Sequence, residues 1–217
     1  MTNYDRMKNL LEEFADKYGQ GCRVIESDIS DLSEDKLESR STGARKLVYG
    51  SDKQNMQVLD MDEIAHSVYR IARFPESTRE SESPASADAF VIDADDTGYF
   101  IEFKNQRISK AKESVTKKAY QNWHWLVDIL YEMKDSLPYD TFDYENPIAF
   151  AKENVVYILV VSEDKNYPDV EKMHKCILAG EKFRPEYMEK LEKYIFKDAY
   201  VYTPEILERE FVKEFVY

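Results

Sequence analysis

The sequence predicts an α/β domain, and three observations predict it. Two short runs rich in β-branched and aromatic residues flank a turn signal within 88–104, a long helical pattern follows, and an unbroken apolar run comes at 155–161. Strands separated by amphipathic helices bury their faces as a sheet covered by those helices. The 217 residues suffice for one core. With 43% hydrophobic residues, 16 Tyr and 11 Phe against 6 Gly and 7 Pro, the chain is neither collagen-like nor globally disordered. No run of eighteen apolar residues is present, so no membrane-spanning helix is expected. The opening Met1-Thr2-Asn3-Tyr4-Asp5-Arg6 lacks a basic-then-apolar leader, and a soluble cytoplasmic protein is the expectation.

Each element follows from local pattern. Residues 4–18 carry Leu10, Leu11, Phe14 and Tyr18 at helical spacing. Residues 26–46 are polar and charged and read as an irregular segment. Asp60 followed by Glu63 has the form of a capping box. The helix it opens carries the stripe Ile64, Val68, Ile71 and Ala72, and ends near Arg73 because Pro75 lies just beyond. The polar stretch 76–86 reads as a flexible loop. Runs 88–93 and 99–104 read as strands of a hairpin joined at Asp95-Asp96-Thr97-Gly98.

A helix over 110–134 places Val115, Ala119, Leu126, Leu130 and Met133 on its apolar side, and Pro138 and Pro147 bracket the loop after it. The run at 155–161 suits a strand buried on both faces. Helical patterns near 169–179 and 186–195, a short strand at 199–202 and a last helix over 204–214 complete one domain without internal repeats.

The net charge is −13, which as a whole repels a nucleic-acid backbone. One stretch departs from it. Lys104, Arg107, Lys110, Lys112, Lys117 and Lys118 stand against Glu113 alone, a local +5 that leaves −18 on the rest. Cys22 and Cys176 are far apart and read as two buried, reduced thiols. His66, His124 and His174 are scattered, which argues against a zinc site.

Glu102 and Lys104 are two apart on a strand and therefore share a face, with Tyr99, Ile101 and Phe103 on the other. Asp88 opens the partner strand within reach of Glu102. Two converging carboxylates suit a hard cation such as Mg2+ or Mn2+, which takes few protein ligands and keeps waters. A lysine beside them orients or deprotonates an attacking water and offsets charge on a phosphorane-like transition state. Asp88 reaches that face only if paired residue numbers sum to an even value. A four-residue Asp95–Gly98 loop gives an odd sum; a three-residue loop, a bulge or a bend at Asp88 restores the face.

Asp88, thirteen intervening residues and then Glu102-Phe103-Lys104 resemble the signature of the PD-(D/E)XK nuclease superfamily, and Gln106 matches a polar residue often seen after that lysine. The resemblance implies a restriction-endonuclease-like αβββαβ core, a mixed sheet flanked by helices, over about 60–162. Residues 1–59 are then an N-terminal extension, and 163–217 are accessory helices and a strand. Ala87 stands where the pattern has proline, with Pro84 near, and no first core strand is evident between Arg73 and Ser86.

What the resemblance implies for the site is specific. Asp88 and Glu102 become ligands of Mg2+ or Mn2+ and Lys104 the catalytic lysine. Glu63 is the candidate for an extra metal-binding acid on the first helix, with Glu80 and Glu82 as substitutes. Gln106, Lys117, Lys118 and Gln121 become contacts to nucleic acid, Lys117 and Gln121 lying on one helix face that His124 continues. Trp123 and Trp125 suit packing better than base stacking, and Asp93, Asp95 and Asp96 suit a turn.

The expected function is hydrolysis of phosphodiester bonds, with DNA as the substrate and no membrane partner. The alternative is a catalytically inactive protein of the same fold whose acidic surface docks a basic protein. A further rival makes Glu102 and Lys104 a structural ion pair. Separation of Asp88 from Glu102 by more than ~8 Å favours that rival, because metal–oxygen distances are far shorter.

Overall fold

A computed structural model describes residues 2–18, 25–50, 56–76, 83–136 and 146–215. Helix α1 (Asn3–Lys17) starts at a capping box in which the Thr2 side chain and Asp5 satisfy each other's amides, and it buries Met7, Leu10, Leu11, Phe14 and Ala15. The expected irregular segment at 26–46 is instead built. It forms strand β1 (Glu26–Asp28) and helices α2 (Ile29–Leu32) and α3 (Lys36–Thr42). Asp28 caps α2 and Asp35 caps α3, the latter accepting from the Leu37 and Glu38 amides at 3.0 and 2.9 Å. No residue of α3 is buried, so its composition carries no apolar stripe to read.

Strand β2 (Gln57–Asp60) precedes helix α4 (61–73), whose middle, Ile64–Tyr69, winds as a π-helix. Asp60 accepts the Glu63 amide at 2.9 Å, as the cap requires. The wider turns bury Met61, Ile64, Ala65 and Val68, while Ile71 and Ala72 are only half-buried. Strand β2 was not expected from the sequence; four residues with one buried pair give too little alternation to detect. Most of the 76–86 loop lies outside the described residues.

The hairpin consists of β3 (Ala89–Ile92) and β4 (Gly98–Lys104). Its turn differs from Asp95–Gly98. The Asp93 amide donates to the Thr97 carbonyl at 3.0 Å, and Asp96 takes φ 65°, leaving a three-residue loop. Asp93 stabilises it by accepting from the Asp95 and Thr97 amides, both at 2.9 Å. Gly98 is required by packing, since a Cβ there would lie 2.8 Å from the Phe90 ring.

Helix α5 (Ile108–Glu132) buries the expected Val115, Ala119, Leu126 and Leu130. Pro147 opens an unforeseen helix α6 (Pro147–Asn154), capped by Asn146. Strand β5 (Val155–Val161) is buried at all seven positions. Helix α7 (Glu163–Leu178) is kinked at Asn166 before Pro168, and α8 (Glu186–Tyr194), β6 (Asp198–Tyr202) and a last helix α9 (204–215) follow. Cys176 is half-buried rather than buried, and Cys22 lies outside the described residues.

The six strands form one mixed open sheet in the order β1-β2-β3-β4-β5-β6, flanked by helices. The first four strands pair antiparallel; β4–β5 and β5–β6 pair parallel, each with helices in the crossover. On one face Phe100 packs against Trp123 of α5 and Tyr157 of β5. On the other, Tyr99 meets Phe211 and Phe215 of α9, and Phe103 stacks on Tyr49. Among the described residues no helix is long and apolar enough to cross a membrane.

Candidate functional site

The site lies at the open end of the hairpin, on the face covered by α5. Ala89 pairs with Ile101 and Phe90 with Phe100, so paired numbers sum to 190 and Asp88 stands opposite Glu102. The three-residue loop thus supplies the even register. Asp88 is held from both sides. Its amide donates to the Ile101 carbonyl at 3.1 Å, and its Oδ2 accepts the Phe103 amide at 2.6 Å. The chain entering it is fixed by α5, where Asn122 Oδ1 accepts the Ala87 amide and Gln121 Oε1 the Ala85 amide, each at 2.8 Å.

Glu102 is 0% exposed. Burial, and then the charge of Asp88, pushes its carboxyl up to about 7, against the pull of Lys118 and Lys104. Lys118 reaches in from α5. Its Nζ donates to Glu102 Oε2 at 2.9 Å and to Asp88 Oδ1 at 3.2 Å, so these oxygens are at most about 6 Å apart. That separation lies inside the ~8 Å beyond which the structural ion pair would be favoured. Burial opposes the charge on Lys118, but Asp88, Glu102 and Asp62 together hold its ammonium above the usual lysine range.

Glu102 Oε1 has no well-directed hydrogen bond. Lys104 Nζ at 2.5 Å and Lys118 Nζ at 2.8 Å hold it by charge instead. A fully buried carboxylate oxygen in that condition, beside a second carboxylate, fits a hard cation. No group of three or more His, Cys, Asp or Glu suited to a metal occurs among the described residues, so the fit is to an ion that completes its shell with water or substrate oxygens.

Two clefts meet at this point. The larger, about 590 Å³, is lined by Asp60, Asp62, Glu63, His66, Arg70 and Asp88 among others. The smaller, about 360 Å³, is lined by Asp35, Asp62, Asp88, Lys104, Asn105 and Gln106 among others. Asp62 and Asp88 line both, while Glu63 lines the larger alone. Asp62 also accepts from the Ser86 hydroxyl and acts on the charge of Lys118. Sequence reasoning passed it over in favour of Glu63. The available signal was its place immediately after the β2–α4 boundary, which abuts Asp88, whose carbonyl accepts the Met61 amide at 3.2 Å.

The other expected residues are divided. Gln106 faces the smaller cleft and its carbonyl accepts from Asn166 at 2.9 Å. Lys117 is exposed on α5 with Lys110 and Lys112, and Arg107 is exposed at its N-cap. Lys118 points the other way, into the carboxylates, and Gln121 braces the segment before Asp88. Glu80 and Glu82 lie outside the described residues. Trp125 is buried and Trp123 stacks on Phe150 at 6.2 Å, both in packing roles. Tyr157, also buried, has a hydroxyl without a hydrogen-bond partner, and burial together with the charges of Glu102 and Asp88 keeps that hydroxyl protonated well past the usual range. No protein-family model, curated protein or solved structure matches the chain.

Proposed function

We propose that the protein is a metal-dependent nuclease that hydrolyses phosphodiester bonds, with DNA as its substrate. The observation that carries this reading is the convergence of Asp88, Glu102, Lys104 and Lys118 on one sheet face, beside two clefts that Asp88 lines and the smaller of which Lys104 lines. The proposed framework is the restriction-endonuclease-like core: three antiparallel strands (β2, β3, β4), a crossover helix (α5) and a parallel strand (β5). It departs from that order at α4, which lies between β2 and β3, and at α6, which lies between α5 and β5.

Asp88 and Glu102 would hold Mg2+ or Mn2+, with waters or substrate oxygens completing the shell. A cation held there would supply polarisation of a phosphate oxygen and a water of lowered pKa. Lys104, at the cleft edge, orients the attacking water and takes part in its proton transfer. Lys118 offsets the charge that builds on the phosphoryl oxygens. Lys110 and Lys117, seven residues apart on α5 and both exposed, form a face for the phosphate backbone.

The test is cleavage of plasmid and single-stranded DNA with Mn2+ or Mg2+, set beside Lys104→Ala purified identically. Metal-dependent cutting lost in the variant supports the reading. One observation favours the alternative of an inactive fold that binds a basic protein: the carboxylates are already paired with two lysines. No cutting by either protein, with no metal-induced shift in Tm, supports that alternative.

A further inference from the structure

The Asp88–Glu102 pair already contains a cation. Lys118 Nζ lies 3.2 Å from Asp88 Oδ1, 2.9 Å from Glu102 Oε2 and 2.8 Å from Glu102 Oε1. A divalent ion bound to the same oxygens at 2.0–2.6 Å would be in direct repulsion with that ammonium, in a site where Glu102 is wholly removed from solvent that could screen it. We propose that Lys118 is a tethered cation that competes with a divalent ion for Asp88 and Glu102, ordering the metal-free site and swinging toward the cleft when the ion enters.

The inference rests on the metal-dependent reading above and deepens it. Asp62 is the acid toward which the ammonium moves, since its charge already acts on Lys118 and it lines both clefts. The Tyr157 hydroxyl is a further polar group buried within the influence of the same carboxylates. It is fully buried, it feels the charges of Glu102 and Asp88, and it has no hydrogen-bond partner. Displacement also gives Lys118 its use. The same ammonium that neutralises the carboxylates without metal would be turned toward the clefts with metal, so one more positive charge would meet the substrate in the loaded protein.

Titration calorimetry of the full chain with MnCl2 and CaCl2 tests this, comparing wild type with Lys118→Met, which keeps the stem and removes the charge. Lys118→Met binding Mn2+ at least about tenfold more tightly supports competition; equal or weaker binding overturns it. Should Lys118→Met fail to fold, the wild type supplies the answer through amine acylation read by peptide mass spectrometry. Acylation of Lys118 rising several-fold on addition of saturating Ca2+, relative to exposed lysines in the same sample, supports the proposal. Unchanged reactivity with metal bound overturns it.

The two readings fail separately. Wild type that cuts DNA while Lys118→Met gains no affinity overturns the competition and leaves the nuclease standing. Wild type that neither cuts nor binds Mn2+, beside a Lys118→Met that binds it, supports the competition and overturns the nuclease. No binding by either protein overturns both.

Discussion

Asn122 Oδ1 accepts the Ala87 amide at 2.8 Å, and through that bond α5 fixes the residue next to Asp88. Both partners are fully buried. Asn122→Ala strands a buried amide and should cost about 1–3 kcal/mol of unfolding free energy. Asn122→Asp, which keeps the acceptor, should recover part of it. Urea denaturation gives the cost, and a Mn2+ titration shows whether loosening Ala87 also weakens the Asp88 site; a neutral Asn122→Ala would show the bond has no such role.

Lys104 and Lys118 touch the same carboxylate but carry different loads. Lys104→Ala leaves Glu102 paired with Lys118, so Tm should stay close to that of wild type while cleavage is abolished. A large fall in Tm would mark Lys104 as structural.

Glu102→Gln keeps size and removes charge at the buried carboxylate. Mn2+ affinity should fall about tenfold or more, measured by calorimetry. Undiminished affinity would remove Glu102 from the ligand set.

The exposed face of α5 should govern non-specific binding to DNA. Combined Lys110→Ala and Lys117→Ala should reduce the slope of log K against log salt by about 2 for duplex DNA, each lysine releasing about one counterion. An unaltered slope in a fluorescence-anisotropy series would place the binding surface elsewhere.

Glu132 binds α1 and α4 to α5 by accepting from Lys17 at 2.8 Å and from Tyr18, and by pairing with Arg73 at 2.8 Å. Burial works to raise its pKa, but those three partners prevail and lower it to about 2 from 4.5. A depressed folded pKa contributes stability above the unfolded value, and that stability is lost as pH falls through the folded one. The Tm advantage of wild type over Glu132→Gln should therefore be full at pH 7 and shrink between pH 4.5 and about 2. An advantage independent of pH would show that charge is not what Glu132 contributes.

The sequence by itself determined the elements whose apolar pattern is local and long. Helix α5 and the β3–β4 hairpin were legible because periods of 3.6 and 2 repeat over enough residues, and β5 because both its faces are buried. Placing Glu102 and Lys104 on one face needed only the pleat of a strand. The remainder depended on contacts between distant segments. Strands β1 and β2 are three and four residues long and exist because each has a partner to pair with. The side of the sheet on which Asp88 lands was decided by a left-handed Asp96, a choice that Asp, Thr and Gly in a turn leave open. Lys117 and Lys118 are neighbours of the same type in one helix. Only the docking of α5 across β4 sends one to solvent and the other between two carboxylates, because a helix turns by about 100° per residue and the sheet decides which direction is inward.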